Sequence, residues 1–173
     1  MEMVKAMDAG DIYAQRELDI DPEDDYTSLS RKLSDLALEM ALEDLPLYFE
    51  NRLTPRKQEE ELVTFCPTIK KEEEKLSLEQ SPEAFVNQVR SLSQEPGGYL
   101  FLKDEILKIY KAKKVSDDKM GPVGTILKAH KKEILLQVEG GIVALLELQR
   151  PGKKKLSAID FNNGKSIEGE VLK

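Results

Sequence analysis

The sequence has no tryptophan, one cysteine, one histidine and only 6% aromatic residues, which leaves little scope for stacking surfaces. Cys66 stands alone, so an internal disulfide is excluded and a reducing cytoplasm is the expected setting. With Pro67 next to it and no histidine nearby, Cys66 reads as a small buried or half-buried side chain. His130 lies beside Lys131 and Lys132 and reads as a strand-end or turn residue; the sequence offers no metal-ligand set. No apolar run approaches the roughly 20 residues of a bilayer span. The opening MEMVKAMDAGDIYAQ lacks a charged-then-apolar signal pattern. Neither DNA nor a membrane is an expected partner.

What is present divides unevenly. The net charge of −7 hides two regions: residues 1–66 carry 7 basic and 17 acidic side chains, and residues 67–173 carry 19 and 16. The first region repels nucleic acid and the second permits it. Two parts with different electrostatic roles are implied.

Residues 12–20 alternate apolar and polar and predict a strand, ended by Asp21-Pro22. Thr27 or Ser28 is a natural N-cap for an amphipathic helix carrying Leu29, Leu33, Leu36, Met40 and Leu45, with Pro46 kinking or tightening its end. One preceding strand cannot cover that leucine face. Residues 51–76 read as a connector, with a solvated KKEEEK run. Ser81 caps a second helix with Pro82 at its first position and Ala84, Phe85, Val86, Val89 and Leu92 as its buried stripe. Strands follow at 99–102 and 106–110, turned by Lys103-Asp104-Glu105. Three more are expected at 123–127, 133–138 and 142–148, with Gly140-Gly141 as a turn, the spacing of a small closed barrel. Arg150-Pro151-Gly152 stops the last strand. Ser157 then caps a short helix over 158–163, closed by Gly164.

The ending LLELQRPGKKKLSAIDFNNG closely resembles the end of the C-terminal barrel of the methionyl-tRNA formyltransferase family. Four further stretches resemble that family in order. MDAGDIYAQ is similar to the strand-turn-strand near the end of its catalytic domain, and SLSRKLSDLALEMALEDLPLY to that domain's closing helix. LVTFCPTIKKEEEKL is similar to the interdomain linker, and EPGGYLFL to the first barrel strand. The resemblance implies an α+β, mainly β chain. An OB-like Greek-key β-barrel (79–173) would follow a linker (53–78) and a strand-plus-helix remnant of a Rossmann-like formyltransferase domain (1–52). The family uses 10-formyltetrahydrofolate to formylate the amino group of methionyl initiator tRNA. The resemblance makes Asp8 the catalytic aspartate, but the asparagine and histidine it works with have no counterpart here, and the linker tryptophan is missing. A C-terminal fragment is therefore expected to bind initiator tRNA without catalysis and to hold no cofactor itself. It is expected to be monomeric, with self-association through residues 1–50.

For tRNA contact the candidates are Lys153, Lys154 and Lys155 after a strand end, Lys128, Lys131 and Lys132 in a neighbouring turn, and Lys70, Lys71 and Lys75 in the linker. Long cations beside a turn reach phosphate without reading sequence. Phe161 is expected to pack rather than stack. Two other readings stay open: a formyltransferase relative acting on a sugar nucleotide or on folate, and a free-standing OB-like RNA-binding module.

Overall fold

A computed structural model describes residues 1–130, 132–164 and 166–173. The chain divides into two compact units, residues 1–68 and 69–173.

The first unit is built on α1 (Tyr26–Phe49). Its N-cap is Asp25, two or three residues before the expected Thr27 or Ser28. Asp25 accepts from the Ser28 amide at 2.8 Å while Ser28 Oγ accepts from the Asp25 amide at 3.0 Å, so Ser28 completes a capping box from the third position. Asp24 is nearly buried beneath this turn. Lys32 Nζ donates to it at 2.8 Å and Ser28 Oγ at 2.8 Å, and these bonds hold its carboxyl down at about 2. Pro46 lies inside the helix, which runs on to Phe49. Its missing N–H costs one bond near the last turn, where the Glu50 amide still reaches the Pro46 carbonyl at 3.0 Å.

Two expectations fail in this unit. Residues 12–20 form no strand: only Ile12 pairs, through reciprocal bonds of 2.8 and 2.9 Å with Arg56. A strand needs a partner along its length, and here one residue supplies it. Cys66 is exposed rather than buried, because the chain around it joins no helix or sheet. A 3-10 turn at Glu60–Leu62 is the remaining regular element, and α1 itself buries no residue, leaving Leu38, Leu42, Leu45 and Phe49 exposed along it.

In the second unit a 3-10 turn (Lys71–Glu74) precedes α2 (Pro82–Ser91). Ser81 Oγ accepts from the Ala84 amide at 3.1 Å and Pro82 takes the first position, as the sequence predicts. Six strands follow: β1 (Gly98–Leu102), β2 (Glu105–Ser116), β3 (Ile126–His130), β4 (Glu133–Val138), β5 (Gly141–Gln149) and β6 (Leu156–Ser157). The chain ends its regular structure with α3 (Ala158–Asn162), capped by Ser157. All pairings are antiparallel, in the order β1-β2-β5-β4-β3, with β6 also on β5.

The strands differ from expectation in extent. The first hairpin turns on Lys103 and Asp104 alone, with Lys103 at φ +58°. β2 continues six residues past Tyr110 because three register shifts bend it along β5. β3 starts at Ile126 rather than 123: Gly124, at φ +84°, turns the chain first, and a side chain there would meet the Leu172 carbonyl at 2.3 Å. The sheet is not closed strand to strand. β1 and β3 are its edges, and residues 169–173 run between them, bonded to Phe101 on one side and to Gly124 and Ile126 on the other. Phe85, Val89 and Leu92 of the α2 region pack with Leu100, Leu107, Ile109, Leu145 and Leu148 into one core. Among the described residues no helix is long and apolar enough to cross a membrane.

Two outcomes follow from this packing. Phe85→Ala removes a fully buried ring and should lower stability by about 3–5 kcal/mol, read as a fall in melting temperature; an unchanged melt would mean α2 is not part of the core. For Asp24, a depressed carboxyl stabilises above its unfolded value and loses that effect as pH falls through the folded one. Helicity of α1 should therefore weaken between about pH 4 and pH 2, and Asp24→Asn should remove that step from a circular-dichroism titration.

Candidate nucleic-acid interface

The turn after β5 carries the three adjacent lysines, and the fold uses them differently. Lys153 and Lys154 are exposed, and neither ammonium has a partner among the described residues. Lys155 is engaged. Its Nζ stands 3.7 Å from the centre of the Tyr110 ring and donates to Gln94 Oε1. Beneath it Tyr110 is only 6% exposed and donates its hydroxyl to Gln149 Oε1 at 2.6 Å. Gln149 Nε2 in turn donates to the Lys153 carbonyl at 2.7 Å. Gly97, at φ +80°, lets the ring lie against the backbone, since a side chain there would meet Tyr110 Cε1 at 2.5 Å.

Tyr110, Gln149 and Lys155 line a cleft of about 500 Å³ together with Lys108, Pro96 and Glu74. Lys108 Nζ donates to the Pro96 carbonyl. Burial pushes the Tyr110 phenol above its usual 10.0, and Glu147 and Glu95 add to that.

The remaining candidates are dispersed. Lys128 lies on β3 rather than in a turn, because the strand begins later than expected. It is exposed and paired with Glu133 at 3.0 Å. Lys132 is exposed in the turn that follows, His130 ends β3, and Lys131 lies outside the described residues. The C-terminal end of α3 reaches this hairpin through Asn162 Nδ2, 3.2 Å from the Glu133 carbonyl. Lys70 and Lys71 are exposed at the 3-10 turn, where the Lys70 amide donates to Glu73 at 2.7 Å. Lys75 Nζ lies 5.7 Å from the Phe101 ring centre, and Tyr99 meets Phe101 edge-on at 5.5 Å. Phe161 packs as expected, with the Arg150 guanidinium 5.1 Å from its ring centre.

Asp8 belongs to the first unit. It is exposed at φ +55°, and the side chain of Gln58 bonds the Asp8 and Gly10 carbonyls at 2.8 and 2.7 Å. That arrangement orients the turn's backbone and leaves the carboxylate in water. Among the described residues no group of three or more histidine, cysteine or acidic side chains is placed to hold a metal.

Sequence reasoning missed the basic run on β2, Lys108, Lys111, Lys113 and Lys114, of which Lys114 pairs with Asp117 at 2.8 Å. The KIYKAKK spacing was its visible signal. It also missed Tyr99 and Phe101, which the alternation of YLFL sets on the face opposite Leu100 and Leu102. The Tyr110 phenol should ionise above pH 10 in an absorbance titration, and Glu147→Gln should reduce that shift; ionisation at the ordinary value would mean the ring is not enclosed as described.

Residues 68–166 match the family model described as "Formyl transferase, C-terminal domain". The chain is 40% identical over 164 residues to methionyl-tRNA formyltransferase of Lactobacillus johnsonii, covering 95% of this chain and 52% of that protein. It is 41% identical over 167 residues to the enzyme of the same name from Dictyoglomus thermophilum, covering 95% and 54%. The chain thus spans about half the length of the relatives it matches. Among solved structures, a variant of HypX from Aquifex aeolicus superposes with a TM-score of 0.70 at 19% identity, over 95% of this chain and 30% of that one. At that identity the match speaks for the fold alone.

Proposed function

We propose, from the premise that this chain belongs to the formyl transferase C-terminal domain family, that it forms the C-terminal part of a methionyl-tRNA formyltransferase. The carrying observation is 40% identity along 95% of the chain to an enzyme of that name. The activity proposed for the complete enzyme is formyl transfer from 10-formyltetrahydrofolate to the amino group of methionyl initiator tRNA, in the cytoplasm. The share of this chain is to hold the tRNA. In this reading residues 1–52 are the end of the catalytic domain, 53–78 the linker and 79–173 the tRNA-binding domain. We read the last as an OB-like Greek-key barrel, supported by the bulged β2 and by the segment 169–173 bonded to both sheet edges.

Asp8 occupies the position of the family's catalytic aspartate. Such a carboxylate would fix the protonation of an imidazole that handles the proton leaving the attacking amine. The sole histidine of this chain, His130, ends β3 in the other unit, so Asp8 has no imidazole from residues 1–68. With its carboxylate exposed, Asp8 builds no folate site by itself.

The tRNA is held through phosphate by exposed lysines, Lys153 and Lys154 first, with Lys132, Lys70 and Lys71 as further contacts. Lys128 and Lys75 contribute less, one being paired with Glu133 and the other set toward Phe101. Such contacts raise affinity for any tRNA and do not choose the initiator.

Two assays test the reading. With 10-formyltetrahydrofolate and charged initiator tRNA the chain alone should give no turnover, and Asp8→Asn should change nothing; turnover lost in that variant would refute the division of labour. In anisotropy over a salt series, tRNA should bind with log affinity falling by roughly 0.7 to 0.9 per phosphate contact per unit of log salt. Replacing Lys153, Lys154 and Lys155 together by Ala should flatten that slope by about two such contacts. An unchanged slope would remove this turn from the tRNA surface.

A further inference from the structure

We infer that Lys155 is a positioning residue and not a phosphate contact: it clamps the turn after β5 so that Lys153 and Lys154 are presented in a fixed place. The inference rests on the tRNA-binding reading above. Three adjacent lysines in sequence look equivalent, and the structure separates them. Lys155 is folded back onto Tyr110, its ammonium 3.7 Å from the ring centre and bonded to Gln94. From the same ring a chain of bonds returns to the turn: Tyr110 hydroxyl to Gln149 at 2.6 Å, and Gln149 amide to the Lys153 carbonyl at 2.7 Å. The Lys153 amide closes the turn on the Arg150 carbonyl at 3.1 Å, and Arg150 is set against the Phe161 ring. Both ends of the segment 150–155 are therefore tied to buried aromatic rings, Tyr110 and Phe161. Only the two side chains between them project without a partner among the described residues.

Moving Lys155 onto phosphate would forfeit its cation–π contact and its bond to Gln94. It would also uncover Tyr110. A lysine used this way changes binding by reducing the freedom its neighbours lose on contact, which has no salt dependence, whereas a phosphate contact releases counterions. That difference gives the clamp a signature that a surface charge lacks.

The test uses the full chain with four variants: Lys155→Met, Lys155→Arg, Gln149→Ala and Lys153→Ala. Amide hydrogen exchange is read at 150–155 without tRNA, and tRNA affinity is read over a salt series. Gln149→Ala breaks the chain of bonds without altering charge. It should speed exchange at Lys153 and weaken tRNA binding roughly two- to tenfold at every salt concentration, with no change of slope. Lys155→Met should do the same, and Lys155→Arg, which keeps a cation over the ring, should restore both readings. Lys153→Ala should leave exchange in the turn nearly as it was and flatten the slope by roughly 0.7 to 0.9. Equal flattening by Lys155→Met and Lys153→Ala would make Lys155 a contact and overturn the inference, as would unaltered exchange in Lys155→Met and Gln149→Ala. No tRNA binding by the unsubstituted chain would instead refute the functional reading, while the exchange measurements still report whether the clamp exists.

Discussion

The second unit depends on keeping β5 out of water. Its first five residues, from Gly141, are all buried, and it pairs with β2, β4 and β6, more neighbours than any other strand of the sheet. A strand enclosed on both faces reads as an unbroken apolar run, which GIVALL is, and it can satisfy its backbone only by partners on both edges. The length of β2 follows from this, since it must cover β5 almost end to end. The bulges follow as well, because a flat β2 of that length would not bend around the core that Phe85 and Leu148 share.

The same enclosure sets the electrostatics. Beyond Tyr110 three of the exposed side chains of β2 are Lys111, Lys113 and Lys114, and the turn that ends β5 is basic too, so positive charge gathers around the margin of the buried strand. Tyr110 marks the border. Its ring belongs to the interior, its hydroxyl reaches Gln149, and a lysine covers its outer face. In the first unit the charge problem is solved locally instead, by Lys32 set between Asp21 and Asp24 under the capping turn of α1.

Local signals were the legible ones. Ser81 before Pro82 and Ser157 before the short helix each decide their own backbone, and the structure agrees with both; the glycine pair also marks a turn, which falls on Glu139-Gly140 with Gly141 opening β5. The strand at 12–20 was misread because alternation states which face is apolar and says nothing of a partner edge. The β3 shift turned on Gly124 fitting against Leu172, a contact between residues far apart in sequence. The candidate site divided the same way. That Lys153 to Lys155 follow a turn was plain from the residues. That one of them is tied down was not, because Tyr110, Gln94 and Gln149 come from three separate stretches.

The segment 169–173 gives the sheet a temporal character. It bonds Phe101 in β1 and Gly124 and Ile126 at the start of β3, partners separated from it by much of the unit. Contacts of long sequence separation form late, because the chain between them must first be ordered. On a ribosome the strands would emerge well before this segment does, and in that interval both edges of a six-stranded sheet stand open to other chains. Docking of residues 169–173 is then the step that ends the sheet's exposure to misassembly.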